Sequence, residues 1–556
     1  MDWKSRGGTS VLDVVTRNSG MTEDELTDPQ PTSSENIENM PQAAAIITQA
    51  IKQNTPITIM GDYDADGITA SAILYLMLQA LGVNAAVRLP RRMSEGYGLN
   101  ETVIDEFKTG LLITVDNGIA AVDAIAKAKS RGFRVLILDH HLSGDTLPDA
   151  DVIVDPHLNP EKNGFVDYCG AGLAFKLAQL LVGDAELIRQ LCSLAAIGTV
   201  ADSVPLRGDN RYIVKCGLIF MKRKKAPVGL LTLLKAASIY TFTEKDIGFK
   251  IGPMLNAAGR MLDEGAMKSL ELLIEDDEIN AQAKAEELIR LNEERKLETT
   301  KGVATVEDII KLDCLYGDAP LVIYAPGLNE GIIGIITGRV AEAYKVPTFI
   351  LTDGESPDVL KGSGRSYGGV NLKEDVVDKV SQYLLTGGGH AAAAGISVSL
   401  GKYNDMVNAM HDALLNYEAK EQATLEYDLE ITPDDVPRVF AELEKYAPYG
   451  EGNPQPVFRI NNVVLSPKLG ELCKYMGKQA QHVKLFTPKF SAVCFDRSGE
   501  YRGMGCPAKL DFVGVLSKNV YQYASELQLE VTDFRPSSAT KNGSSLLDML
   551  KKNGTI

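Results

Sequence analysis

Three short apolar runs in the first third of the chain each end in a group of acids, and nothing else constrains the fold as tightly. ITIM (57–60) runs into Gly61-Asp62-Tyr63-Asp64-Ala65-Asp66-Gly67, LLITV (111–115) into Asp116-Asn117-Gly118, and RVLIL (134–138) into Asp139-His140-His141. Two more runs, AAVRL (85–89) and DVIV (151–154), share this region with helical patterns such as ITASAILYLMLQAL and NGIAAVDAIAKAKS. Alternation of this kind predicts crossover units and a parallel sheet covered on both faces. The acids then gather at the C-terminal strand ends, where open α/β folds place their ligands. A fourth acid, Asp202, follows the apolar run Thr199-Val200-Ala201.

Crowding Asp62, Asp64, Asp66, Asp116, Asp139 and Asp202 together without counter-ions is costly through like-charge repulsion and lost hydration. No Lys or Arg lies within the first three clusters. A pair of divalent cations resolves the conflict, and carboxylates with one or two imidazoles favour Mn²⁺, with Mg²⁺ the alternative, over a thiolate-type zinc site. Taken singly, the acids have plainer roles. An Asp after a strand is most often a helix N-cap, which suits Asp116, and Asp66 before Gly suits a turn. The conjunction of four clusters argues for the metal site.

Composition sets the wider bounds. With 57 Lys and Arg against 74 Asp and Glu, the net charge of −17 excludes a generic basic coat for nucleic acid, though not a local basic groove. No apolar stretch reaches the ~18 residues of a membrane helix, and MDWKSRGGTS lacks an apolar signal core. The seven cysteines include no C-x-x-C pair, against both a disulfide scaffold and a zinc knuckle. A reduced, cytoplasmic protein is expected.

Residues 1–55 read as a polar lead-in with one helix near 42–53, and 56–265 as the catalytic α/β lobe, helical from 172 to 234. Residues 266–315, rich in Glu, Lys, Ala and Leu, read as a long solvated connector helix. A second α/β lobe is expected over 316–420, an all-β module of barrel or sandwich type over 421–536, and a flexible tail over 537–556.

GDYDADG, VDNG, DHH and VADSVPL, in that order, resemble the DHH phosphoesterase superfamily, and within it the RecJ-type single-strand exonucleases. The resemblance continues through GPMLNAAGR (252–260), EGIIGIITGR (330–339), KGSGRS (361–366), GGGHAAAAG (387–395) and PYGEGNPQPVF (448–458), the last like the opening of the family's OB-type domain. It implies Asp64, Asp66, Asp116, His140 and Asp202 as metal ligands, with Asp116 and Asp202 shared between ions. Asp62 and His141 would lie close by, His141 touching the scissile phosphate, and Asp139 would orient an imidazole. Met60, Asn329 and Gly338 depart from residues common in the family, so contacts there are not carried over.

Arg92, Arg260, Arg339 and Arg365, with Asn256, Ser363 and His390, are the candidates for holding substrate; Arg365 and Ser363 offer a fork for a terminal phosphate. Taken alone, each Arg is more often a surface residue than a ligand, and Gly331, Gly334 and Gly338 suit helix packing as well as phosphate contact. Tyr97, Tyr367, Phe458 and Phe495 could stack bases or fill cores. The resemblance implies 5′→3′ hydrolysis of single-stranded DNA to mononucleotides in repair and recombination by a monomer, with single-strand-binding protein and a RecQ-type helicase as partners. Hydrolysis of short oligonucleotides or cyclic dinucleotides, and a non-catalytic strand-binding scaffold, are the alternatives.

Overall fold

The first sheet is built from strands whose residues are apolar almost throughout, as a sheet with both faces covered demands. In the computed structural model these strands are β1 (Ile57–Met60), β2 (Ala86–Arg88), β3 (Leu111–Val115), β4 (Arg134–Leu138) and β5 (Val152–Val154). They are all parallel, in the order β2-β1-β3-β4-β5, so β1, β3 and β4 lie side by side. Their C-terminal ends therefore bring the three acidic clusters to one edge. Residues 2–96, 98–354, 356–415, 424–468, 470–521 and 524–537 are described; Tyr97 and all of the expected tail except Ser537 fall outside them.

Helix α1 (Ala65–Ala80) leaves the first cluster and is buried on nearly every side, with Ile68, Ile73, Leu74, Met77 and Leu78 at 0 % exposure. A helix apolar all round must be covered all round. It packs against α2 (Gly170–Leu181) and α3 (Ala185–Ala201), both inside the same core. After a π-helical turn, Ile247–Ile251, α4 (Gly252–Met261) carries the GPMLNAAGR sequence.

The connector is shorter than the composition suggests. Residues 265–273 form a separate helix, and Asp277 then caps α5 (Glu278–Leu312), its carboxylate accepting from Ile279 N–H at 3.0 Å and Asn280 N–H at 2.8 Å. At ~1.5 Å per residue, its 35 residues extend ~50 Å. Beyond it, α6 (Glu330–Tyr344) follows strand β6 (Leu321–Tyr324). Strands β7 (Thr348–Asp353), β8 (Val359–Arg365), β9 (Leu384–Gly389) and β10 (Ala393–Ser399) complete a mixed sheet in the order β9-β10-β8-β7-β6.

Residues 30–421 form one unit; 1–29 and 422–556 form another. The second unit holds a seven-stranded sheet that includes Phe458–Val464, His482–Phe486, Ser491–Cys494, Lys509–Tyr521 and Ala524–Pro536. The lead-in expectation is corrected here. Asp2–Ser5 pairs in parallel with Thr424–Tyr427, while Val11, Val15, Met21 and Leu26 enter the same core as Val436, Phe458 and Leu510. Polar composition hid these few apolar anchors. The helix expected near 42–53 is Met40–Lys52.

Candidate active site

Each acid of the site is held by the backbone that follows its strand. Asp64 is the N-cap of α1, one carboxylate oxygen accepting from Asp66 N–H at 3.0 Å and Gly67 N–H at 3.1 Å. Asp66, 1 % exposed, accepts from Gly170 N–H at 2.7 Å and Ala171 N–H at 2.9 Å, so it caps α2. Two helix N-termini thus lend partial positive charge to two carboxylates. Asp202 has the opposite setting, at the C-terminal end of α3, where the helix dipole disfavours an anion.

Asp116 adopts φ 60°, a left-handed conformation that Asp tolerates better than most residues. His140 Nε2 lies 3.0 Å from Asp116, 3.8 Å from Asp202 and 3.9 Å from Asp66. Asp139 is committed to the protein: it accepts from Ile119 N–H at 2.9 Å, His140 N–H at 2.8 Å and His141 Nδ1 at 2.7 Å. The contact at Nδ1 ties the orientation of the His141 ring to Asp139.

Burial and like charge dominate the electrostatics. Asp62 and Asp116 are pushed well above the usual carboxylate range, by burial first and then by neighbouring acids. Asp64 rises for the same reasons, and Asp202 reaches about 8. Burial alone would also raise Asp139, yet the His141 hydrogen bond and charge hold it below its ordinary value. His141 is the counterpart: burial opposes its charge, but Asp139 lifts it to about 9. His140 is lowered, chiefly by burial, which keeps a lone pair free for a cation.

Among the described residues, three groups each bring their ligand atoms within 4.8 Å of one another: Asp62, Asp64 and Asp116; Asp66, His140 and Asp202; and Asp116, His140 and His141. Asp116 belongs to two sets and is suited to bridging. The geometry brings in Asp62 and His141, which the sequence placed only nearby. Asp62 Oδ1 is buried without a hydrogen-bond partner, as an oxygen reserved for a cation would be. The donor set of carboxylates and imidazole fits Mn²⁺ or Mg²⁺.

A cleft of about 820 Å³ opens beside these acids, lined by Tyr63, Arg92, Arg260, Gly331, Ser363 and Arg365 among others. The Arg92 guanidinium sits 4.5 Å over the Tyr63 ring, and Tyr63 lies between Asp62 and Asp64 in sequence. Arg365 donates to Ser363 Oγ at 3.0 Å, and Arg260 donates to Gly331 O at 3.1 Å. At Gly331 and Gly334 the structure shows close packing. A Cβ at Gly331 would fall 2.1 Å from Arg260 O, and one at Gly334 would fall 2.8 Å from the Arg365 guanidinium. Burial, then Arg92, lowers Arg365; burial, then Arg92 and Arg295, lowers Arg260 to about 9.

Other candidates fall outside this cleft. His390 is exposed at the tip of the β9–β10 hairpin, its N–H bonded to Ala393 O at 2.8 Å. Arg339 is exposed on α6, and Asn256 is part-buried on α4. Phe458 is fully buried in the β unit's core, which removes it as a stacking platform; Phe495 is 54 % exposed and Tyr367 intermediate. Arg295 was missed, because its surroundings in sequence read as a solvated helix face.

A parallel sheet that ends in DHH and neighbouring carboxylates defines the DHH class of phosphoesterases. The family described as "DHH family, N-terminal domain" matches residues 56–199, the DHHA1 domain matches 318–416, and the RecJ OB domain matches 427–533. Single-stranded-DNA-specific exonuclease RecJ of Haemophilus influenzae is 33 % identical over 82 % of this chain and 82 % of its own length. The Bacillus subtilis protein of the same name is 34 % identical over 89 % of this chain, which spans 63 % of that relative. The crystal structure of Thermus thermophilus RecJ with Mn²⁺ superposes with a TM-score of 0.79 at 27 % identity, covering 98 % of this chain and 80 % of that one. The chain belongs to the RecJ family.

Proposed function

We propose that this chain is a metal-dependent exonuclease that hydrolyses single-stranded DNA from the 5′ end to mononucleotides, in DNA repair and recombination. The observation that carries this is the adjacency of a carboxylate–histidine site to an arginine-lined cleft, with Tyr63 and Arg92 between them. One end of a strand bound there presents its terminal phosphate to Arg260, Ser363 and Arg365 and its first phosphodiester to the acids.

Asp62, Asp64, Asp66, Asp116, His140 and Asp202 would hold two divalent cations, with Mn²⁺ preferred. Such cations lower the pKa of bound water and offset charge on phosphoryl oxygens. The residues themselves do the rest. Asp139 fixes His141, which as a cation faces a non-bridging oxygen of the scissile phosphate. Asp66, tied to the N-terminus of α2, keeps its ligand oxygens from turning away. Arg92, over Tyr63, steadies the charge that grows on the phosphate. Single-strand-binding protein and a RecQ-type helicase as partners, a monomeric state and a cytoplasmic location complete the proposal and rest on the family.

Digestion of end-labelled single strands with 5′-phosphate, 5′-hydroxyl or blocked ends, in Mn²⁺ or Mg²⁺, tests it. Stepwise release of 5′-mononucleotides is expected. Cleavage confined to dinucleotides or cyclic dinucleotides, or strand binding without turnover, would overturn it.

A further inference from the structure

Helix α4 runs along the acids from one side of the site to the other. Its first residue, Gly252, meets the last turn of α3: a Cβ there would fall 3.4 Å from Ala201 Cβ, and Asp202 directly follows Ala201. Near its other end, a Cβ at Gly259 would fall 3.6 Å from Tyr63 O, and Tyr63 stands between Asp62 and Asp64 in sequence. Arg260 comes next and lines the cleft. The order along the helix is therefore Asp202, then Asp62 and Asp64, then the arginine pocket, over ~15 Å at ~1.5 Å per residue.

The π-helical turn Ile247–Ile251 sits at the Asp202 end of this line, where a Cβ at Gly248 would fall 3.8 Å from Val200 Cγ1. Ile247 and Ile251 are buried, whereas Phe249 between them is 81 % exposed. A π turn widens the helix for one extra residue, and such turns concentrate at functional sites. The backbone that presents the ring is fixed from the N-terminal side. Asp246 N–H donates to Thr243 Oγ1 at 3.2 Å, and the Asp246 carboxylate accepts from Thr243 N–H at 3.0 Å and from Lys250 Nζ at 2.7 Å. A ring held this way needs little further ordering when something binds it.

We propose that Phe249 is a stacking platform for a nucleobase of the bound strand, downstream of the bond that is cut. The proposal rests on the exonuclease function above. With the terminal phosphate among Arg260, Ser363 and Arg365 and the first phosphodiester at the acids, a strand that follows α4 continues past Asp202 to the π turn. A phenyl ring offers an apolar face and no hydrogen-bonding group, so it takes any base. The contact grips the strand without reading its sequence, as an enzyme that works along a strand requires.

The test measures KM, with Mn²⁺, for 5′-phosphorylated single strands that each lack one base, from the second nucleotide to the sixth, beside the intact strand. Wild type is expected to show a position where removing the base raises KM roughly tenfold, the loss of one stacked base. In Phe249→Ala that penalty should vanish, and in Phe249→Trp it should persist. A merely structural role for Phe249 would raise KM on every strand alike and leave the penalty in place, and a contact for a protein partner would leave it in place too. Either result overturns the proposal, as does a wild type with no sensitive position. Should Phe249→Ala not fold, Phe249→Leu, which keeps apolar bulk without a ring, is read in the same way. Failure of wild type on the intact strand would instead sink the underlying exonuclease function.

Discussion

Gly170 stands where any side chain would strike Asp116: a Cβ there would fall 2.5 Å from Asp116 Cβ and 3.0 Å from its Cα. The backbone of α2 thus sits directly on Asp116, and the N–H of the same glycine holds Asp66 at 2.7 Å. Gly170→Ala should displace both acids, with a cost of roughly 1–3 kcal/mol from overpacking. Thermal melts and Mn²⁺ titration check this; unchanged metal affinity would show that the contact does not matter.

Asp116 and Asp139 should differ in kind. Asp116→Asn removes a shared ligand and should abolish turnover, beyond the ~10–100-fold loss typical of an orienting partner. Asp139→Asn should stay within that range while weakening metal binding less. Single-turnover rates across a Mn²⁺ series distinguish the two, and equal losses would contradict the assignment.

Stability without metal should decline as pH rises. Asp202, lifted from 3.8 to about 8, binds its proton more tightly folded than unfolded, so its contribution is lost between those values. Asp62 and Asp116 act in the same sense. His141, lifted from 6.5 to about 9, stabilises below 6.5 and loses this as pH climbs through 9. Asp139, held low, has the opposite sign, but its loss falls below its ordinary range. Chelated protein should therefore melt lower at pH 8 than at pH 5.5, with Mn²⁺ restoring more at pH 8. An equal Mn²⁺ increment at both values would be the contrary outcome.

Arg365→Ala should flatten the preference for 5′-phosphate over 5′-hydroxyl ends, by roughly tenfold in KM for a charge-assisted contact, with a smaller effect on kcat. Initial rates on paired substrates read this directly, and a retained preference would move the terminal phosphate elsewhere.

Trp3 ties the first residues to the β unit, its indole donating to Asp533 at 2.7 Å while the Arg535 guanidinium lies 4.0 Å over the ring. Trp3→Ala should lower the melting temperature of that unit by several degrees, corresponding to about 1–3 kcal/mol, and leave Mn²⁺ affinity intact. A melt that matches wild type would make the pairing dispensable.

The strands and acids were legible because alternation and position act locally: ITIM before GDYDADG is both a strand and a strand end. Asp66 as cap of α2 was not, since its partners Gly170 and Ala171 lie about a hundred residues away. Arg295 was hidden for another reason. Within AKAEELIRLNEERKLE a buried cation and an exposed one look alike, and only the helices packed on either side separate them.

The parallel pairing of Asp2–Ser5 with Thr424–Tyr427 makes the catalytic half an insertion within the β half. During synthesis the opening strand emerges long before its mate is made. The whole sequence of the unit that carries the acids is therefore made before that strand's partner exists, so its core can close while the β unit still waits for its other end.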